Sequence, residues 1–233
     1  MQQFINDFKN SQFYSKILQD SKTEVILIWI TGSTITNICD KESDYDMCVL
    51  VTEKPMEPAN SLYRTYSRPG SYFLKYKPED KKAQCIYNDV SDIYSISSAT
   101  PLDNIGWAQF REITPEFIIY QNPKYTKFIE TLINIRYELF NISAYLFVES
   151  ILHYIGVKTL NCLLYQYPGR PNKFIYHACW LANSLQGLPQ NKKQLIRLKR
   201  IPAEDLSIED QNQVVDSLSY LETYHKLFDK TSL

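Results

Sequence analysis

The clearest feature of the hydrophobic pattern is a pair of continuous apolar runs in the first quarter of the chain. One is Val25–Ile30 and the other is Met47–Val51, which directly follows two acidic positions. Continuous apolar runs of this length, rich in β-branched residues, are typical of strands buried on both faces of a sheet. We therefore expect central strands at Val25–Ile30 and Asp44–Val51. Loosely helical apolar spacing over 3–19 predicts one or two short helices that cover this sheet.

Two further extended segments follow a proline-containing loop at 53–60. Aromatic and apolar residues at Ser71–Lys77 predict a third strand, and the polar stretch after it predicts a turn. The next segment, Ala83–Ile96, also has an extended pattern. We expect these two segments to pair like a hairpin, with the return strand placed beside the strand that begins at Asp44.

The pattern changes to a helical period after Lys124. Apolar residues recur at the spacing of one helix face in Phe128, Leu132, Ile135 and Leu139. Asn141–Tyr154 is apolar nearly all round, which is typical of a helix inside a bundle. Helices are also predicted at Asn172–Leu185 and Glu209–Leu227. The chain is therefore predicted to be α+β, with a mixed-sheet core and flanking helices in residues 1–122 and a C-terminal helical bundle in residues 123–233.

Composition narrows the class of protein. The 233 residues are enough for one large domain or two small ones, and 44% hydrophobic content supplies a core. A net charge of −1 gives no overall attraction to nucleic acid, so any such contact must be local. The longest apolar run is too short for a membrane span, and the N-terminus lacks a signal-peptide pattern. Five cysteines without a C-x-x-C pair are typical of reduced thiols. We expect a cytoplasmic protein that does not contact a membrane.

Candidate chemistry lies between the two central strands. Asp44 and Asp46 are two positions apart on a predicted strand, so their side chains share one face about 6–7 Å apart. Like charges this close raise one pKa unless a cation neutralises them, and Mg²⁺ prefers such oxygen ligands. Gly32 and Ser33 follow the first strand and offer backbone amides and a hydroxyl at a predicted helix start, which suits a phosphate. Together these residues predict a nucleotide site.

The same residues resemble a known signature. Thr31-Gly32-Ser33, a gap of ten residues, and Asp44-Tyr45-Asp46 with an apolar run behind it are similar to the motif of the DNA polymerase beta superfamily of nucleotidyltransferases. The Ser-Asp-Tyr-Asp form and the helical half most resemble the predicted nucleotidyltransferases of the RNA-repair-associated branch. The motif covers residues 25–51. A looser resemblance extends through Asp92 and Tyr120–Pro123 to Lys173–His177.

The resemblance implies an activity and a set of ligands. It implies an enzyme that transfers an NMP from an NTP, such as ATP, to a hydroxyl and releases pyrophosphate. Two Mg²⁺ ions would be held by Asp44, Asp46 and a third carboxylate, and Gly32 and Ser33 would bind the triphosphate. Asp92 is preferred as the third ligand because it precedes an apolar stretch and a helix, as in the family. Asp89 is the alternative.

The acceptor is left open between several classes. The resemblance implies an RNA or tRNA end, and a protein side chain that receives AMP is the rival acceptor. A catalytically inactive module of the same fold, which binds a nucleotide or a partner, is the alternative to an enzyme. The family often has a glycine a few residues beyond the serine. Asn37 is its nearest equivalent here, and asparagine tolerates left-handed backbone better than most residues.

Basic residues in the helical half are weaker candidates. Lys173 and His177 lie four residues apart on one predicted helix. The family often carries a lysine and a histidine in this helix, so the resemblance implies nucleotide binding by both. The structural alternative is a solvated lysine and a core histidine beside Trp180. A basic cluster at 192–200 is predicted either to contact the phosphates of an RNA end or to form a solvated helix face.

Overall fold

The structure is a computed structural model that describes residues 1–19, 24–39, 45–52, 63–65, 72–76, 83–89, 109–141, 144–145, 148, 151–152, 172–201 and 205–229. The chain divides into two compact units, Met1–Asn141 and Ile142–Leu233. Each unit is described by itself. The sequence pattern placed the division after residue 122, and that assignment of domains stays a prediction.

Among its described residues, unit 1 contains a six-stranded mixed sheet with the strand order β3-β4-β5-β2-β1-β6. Strand β2 pairs in parallel with β5, and every other pairing is antiparallel. The predicted α+β class with a mixed sheet is therefore confirmed, as is the placement of the return strand beside the acidic strand. The strands are β1 Val25–Thr31, β2 Tyr45–Val51, β3 Tyr63–Thr65, β4 Tyr72–Tyr76, β5 Ala83–Asp89 and β6 Ile118–Gln121.

The two apolar runs form the centre of this sheet. Every residue of β1 is buried, and β2 is buried from Met47 onward. The helices α1 (Gln2–Lys9) and α2 (Gln12–Gln19) pack against the sheet, as their apolar spacing predicted. One continuous core joins residues from the helices and the strands: Phe4, Ile5, Phe8, Ile17, Val25, Ile28, Ile30, Met47, Val49, Val51 and Ile119. Burial of this apolar surface is the main stabilising term for the sheet.

Polar contacts join the start of β1 to the segment that follows β6. The Glu24 carboxylate accepts hydrogen bonds from Lys124 Nζ at 2.7 Å and from Tyr125 Oη at 2.6 Å. Asn122 Nδ2 donates to the Val25 carbonyl at 2.9 Å. These contacts cross the predicted boundary at 122/123, so residues directly beyond 122 belong to unit 1.

The helix α4, Thr126–Asn134, also belongs to unit 1 and buries Ile129 and Leu132. Of the four predicted core positions after Lys124, Leu132 and Leu139 are buried, whereas Ile135 is 37% exposed. The reason is that the helix ends at Asn134, and Ile135 lies at its C-terminal cap. The predicted periodicity is therefore interrupted at Ile135, and Leu139 beyond the break is buried again.

Unit 2 is helical in the parts that the structure describes. Its helices are α5 (Asn172–Leu185), α6 (Lys192–Arg200) and α7 (Ile208–Asp229), and α5 packs against both of the others. The described residues between 144 and 152 are also helical. Cys179, Trp180 and Leu181 are buried in the core of this unit. The C-terminal helical half is confirmed. Across the described ranges, no helix combines the length and apolar character needed to cross a membrane.

Candidate functional site

The register of the two central strands positions the glycine turn. Strand β1 ends at Thr31, and Gly32 begins a single helical turn, α3 (Gly32–Ile35). In the antiparallel ladder, Thr31 pairs with Asp46. The residue after Thr31 is therefore placed beside the acidic end of β2. Strand pairing alone explains why Gly32 and Asp46 meet.

Gly32 approaches the Asp46 side chain as closely as a glycine allows. A Cβ atom added at Gly32 would overlap the Asp46 carboxylate and would lie 2.9 Å from both Cβ and Cγ of Asp46. Gly32 also has a φ of +70°, which L side chains rarely adopt. Two independent causes thus require glycine at this position. The structure brings together two of the predicted site residues, with the half-buried Asp46 carboxylate turned toward the glycine.

A buried glutamine holds this turn. Gln109 is 1% exposed, and its Oε1 accepts hydrogen bonds from Thr31 Oγ1 at 2.9 Å and from Gly32 N at 2.8 Å. A backbone N–H can only donate, so the side-chain oxygen must face Gly32. Sequence reasoning missed Gln109, because no motif marks a single glutamine outside the strands. The Gly32 amide, which was expected to bind phosphate, donates to Gln109 in this structure.

Hydrogen bonds within the chain close the turn after Gly32. Ser33 is buried, and its carbonyl accepts a hydrogen bond from Ile38 N at 2.9 Å. Thr36 Oγ1 donates to the Gly32 carbonyl at 3.2 Å. Asn37 has a φ of 56°, which is left-handed backbone, a conformation that asparagine tolerates better than most residues.

The parallel pairing of β2 with β5 bears on the third carboxylate. It pairs Asp46 with Gln84, and it pairs Val51 with Asp89. Asp89 is thus five positions along the sheet from Asp46, or about 16 Å at the usual rise of a strand. Two carboxylates cannot share a metal ion over that distance, because Mg²⁺–oxygen bonds are about 2.1 Å long. On this backbone register Asp89 lies too far along the sheet to join Asp46, and the identity of the third carboxylate stays a prediction.

The other predicted ligands, Asp44 and Asp92, lie outside the described residues. Within the described ranges, no group of three or more His, Cys, Asp or Glu residues could hold a metal ion. The chemistry of Asp46 nevertheless fits the predicted ion, because a carboxylate oxygen is the donor that Mg²⁺ prefers. Of the predicted set Asp44, Asp46 and Asp92, only Asp46 lies among the described residues, and its role as a ligand stays a prediction.

Lys173 and His177 lie on α5 in unit 2, whereas Gly32, Ser33 and Asp46 lie in unit 1. His177 is 3% exposed, and its ring centre is 4.0 Å from the Tyr176 ring. Such burial is what the structural alternative, a core histidine, expects. The predicted nucleotide contacts of Lys173 and His177 stay predictions.

One residue of the basic cluster on α6, Arg197, makes a contact within unit 2. Arg197 forms an ion pair with Asp210, which is 1% exposed and also accepts a hydrogen bond from Ser207 Oγ at 2.8 Å. The hydrogen bond from Arg197 is the main reason that the pKa of Asp210 is lowered. Lys192 and Lys193 are exposed at the start of the helix. The structure thus assigns a structural contact to one member of the cluster.

Comparisons with known proteins give little beyond this geometry. No protein-family model matches the chain, and no curated protein matches it. One similar solved structure is a nucleotidyltransferase-like protein from Exiguobacterium sibiricum 255-15. It is 11% identical, with a TM-score of 0.35 over 93% of this chain and 74% of that chain. A similarity of this size carries no argument about the site.

Proposed function

We propose that this protein is a metal-dependent nucleotidyltransferase that transfers an NMP from an NTP to a hydroxyl and releases pyrophosphate. The observation that carries the proposal is the contact between Gly32 and the Asp46 carboxylate at the end of the central strand pair. The glycine turn and the acidic strand are the two halves of the motif that resembles the DNA polymerase beta superfamily. Their close approach supports a single site built from both halves.

In this proposal the chain supplies position and charge. Asp46 and Asp44 would hold Mg²⁺ together with Asp92, and Ser33 would contact the triphosphate. The bound Mg²⁺ supplies neutralisation of the phosphate charge and a lowered pKa for the attacking hydroxyl. Gly32 keeps the space beside the Asp46 carboxylate free of a side chain. Phosphoryl transfer asks for little covalent chemistry from a protein, so positioning accounts for most of the rate.

The proposed acceptor is the end of an RNA or tRNA, by resemblance to the RNA-repair-associated branch. A protein side chain that receives AMP is the rival acceptor. Lys173 and His177 would contribute to nucleotide binding from the helical half. The net charge of the chain is −1, so an RNA acceptor would be recognised by local contacts.

A binding module without turnover is the second candidate. It is favoured by Gln84, a neutral residue that β5 places in register beside Asp46. It is also favoured by the Gly32 amide, which already donates to Gln109. Such a module would bind a nucleotide without transferring it.

The test is transfer of label from each of the four radiolabelled NTPs, with Mg²⁺, to RNA, tRNA or protein in a cell extract. We expect label on RNA, and we expect Asp46→Asn to abolish the transfer. Asp89→Asn is the matched control, because the register places it about 16 Å away and it should retain activity. Nucleotide binding without label on any acceptor would favour the module. Full activity of Asp46→Asn would remove Asp46 from the site.

A further inference from the structure

We propose that Gln109 is a positioning residue that sets the Gly32 turn against Asp46. The inference rests on the proposed function, because the position of this carboxylate matters most if Asp46 acts in transfer. One oxygen, Gln109 Oε1, accepts from both Thr31 Oγ1 and Gly32 N. It thereby links the last residue of β1 to the first residue of the turn.

The surroundings make these hydrogen bonds strong determinants of the turn. Gln109 is 1% exposed, so water cannot replace the glutamine oxygen without a rearrangement. A buried donor that loses its acceptor is costly, so the Gly32 amide favours the one conformation that keeps the bond. That conformation has the left-handed φ of +70° that brings the Gly32 backbone against the Asp46 carboxylate.

The hydrogen bond to Gln109 also gives Gly32 and Ser33 different roles in the proposed site. The Gly32 amide is committed to Gln109, so its contribution to a nucleotide is close backbone approach and not a hydrogen bond to phosphate. The phosphate contact of the turn then falls to Ser33. Gln109 acts through Gly32 and is not itself in contact with substrate.

Isotope-labelled glycine allows the Gly32 amide to be observed by NMR in the intact protein. The sequence has 6 glycines, and Thr31-Gly32 is its only Thr-Gly pair. Labelling with ¹³C-carbonyl threonine and ¹⁵N-glycine therefore selects the Gly32 amide alone in a carbonyl-correlated NMR spectrum. In the wild-type protein we expect this amide to exchange slowly with solvent. We also expect Mn²⁺, used as a paramagnetic substitute for Mg²⁺, to broaden it.

Two variants at one position separate positioning from general stability. Gln109→Met keeps the length and removes the acceptor, whereas Gln109→Glu keeps an oxygen that accepts both bonds. In Gln109→Met we expect about tenfold faster exchange of the Gly32 amide. We expect its kcat for transfer to fall about ten- to hundredfold while the KM for NTP changes less. Gln109→Glu should restore the protection of the amide and a measurable part of the activity.

Thr31→Val serves as a milder variant if Gln109→Met does not fold, because it removes one donor and leaves the Gly32 bond in place. It should leave the Gly32 amide protected and lower kcat less. A wild-type Gly32 amide that exchanges freely would overturn the inference. Gln109→Met that transfers label as fast as wild type would also overturn it. Loss of the proposed function looks different, because wild-type protein would then transfer no label while the Gly32 amide stayed protected by Gln109.

Discussion

Gly32 and Gly187 both have left-handed backbone, with φ of +70° and +67°, but their surroundings differ. A Cβ atom at Gly187 would meet nothing within 4 Å, whereas one at Gly32 would overlap the Asp46 carboxylate. A substitution of Gly187 by alanine therefore costs only the free energy of placing alanine in left-handed backbone. The same substitution at Gly32 adds the cost of the overlap with the Asp46 carboxylate.

We expect Gly187→Ala to lower the free energy of unfolding by about 1 kcal/mol, the usual cost of left-handed backbone for alanine. Gly32→Ala should lower it by about 2–4 kcal/mol, because the added methyl also displaces the carboxylate. Urea unfolding followed by far-UV circular dichroism compares the two. Equal losses would mean that the Asp46 side chain moves aside at little cost.

The exposed thiol of Cys39 and the buried thiol of Cys179 should react very differently. Burial raises the pKa of Cys179 to about 11, and a hydrogen bond from Ser217 only partly opposes this shift. At pH 8 only about 0.1% of such a thiol is ionised, and the thiolate is the reactive form. Cys39 is exposed. Iodoacetamide with peptide mass spectrometry should label Cys39 in the native protein and Cys179 only after unfolding. Native labelling of Cys179 would show that the core of unit 2 opens.

At the residue scale, sequence reasoning succeeded where chemistry and conformation agree. Asn37 was singled out because asparagine tolerates left-handed backbone better than most residues, and its φ of 56° lies in that region. Gln109 could not be predicted, because its role depends on an oxygen that reaches Thr31 and Gly32 across a sequence separation of more than seventy residues. Glutamine has no pattern of its own, and only the fold shows which donors it meets.

At the scale of elements, the start of α7 depends on one buried acid. Ser207 Oγ accepts a hydrogen bond from Asp210 N at 3.2 Å and donates to the Asp210 carboxylate, which satisfies polar groups at the helix N-terminus. Arg197 on α6 pairs with the same carboxylate. The Ser207 hydroxyl thus caps α7, and the Asp210 carboxylate ties this helix to α6.

This contact predicts a pH dependence of stability. The pKa of Asp210 lies below its ordinary value of 3.8, chiefly because Arg197 donates a hydrogen bond to it. A lowered folded-state pKa means that the stabilisation is present above pH 3.8 and is lost as the pH falls further. We expect Asp210→Asn to lower the thermal midpoint at pH 7, with a difference from wild type that shrinks below pH 3.8.

The matched control is Asp216→Asn, because Asp216 is exposed on the same helix. Its thermal midpoint should stay close to that of wild type at every pH. A difference for Asp210→Asn that stays constant between pH 7 and pH 3 would contradict the role of the charge. Differential scanning fluorimetry across this range makes the comparison.

The strands that were predicted have longer hydrophobic patterns than the strand that was missed. Strands β1 and β2 were predicted because each holds at least five consecutive buried apolar residues. Strand β3 was missed, because three residues, Tyr63–Thr65, are too few to establish an alternation. The extended prediction over Ala83–Ile96 is confirmed through Asp89, and the rest lies outside the described residues.

At the scale of the whole molecule, the division into compact units predicts how fragments behave. Unit 1 includes the whole described sheet, the contacts of Glu24 with Lys124 and Tyr125, and the buried face of α4. We expect a fragment of residues 1–141 to unfold cooperatively in urea. A fragment of residues 1–122 should unfold at lower urea, because it loses those contacts and the buried apolar surface of α4. Equal midpoints would support the boundary at 122 that the sequence pattern suggested.

The mixed direction of the sheet bears on the order in which its strands assemble. Strands β1 and β2 are joined by a short connection, whereas β5 reaches β2 only after a long excursion that includes β3 and β4. Closing the shorter loop costs less entropy, and distant pairings form more slowly. The glycine turn and its acidic partner belong to the local pair. We therefore expect the pairing of β1 with β2 to form before β5 has been synthesised in a chain emerging from the ribosome. An early pairing also means that Gly32→Ala should slow folding more than it speeds unfolding, which a chevron analysis measures.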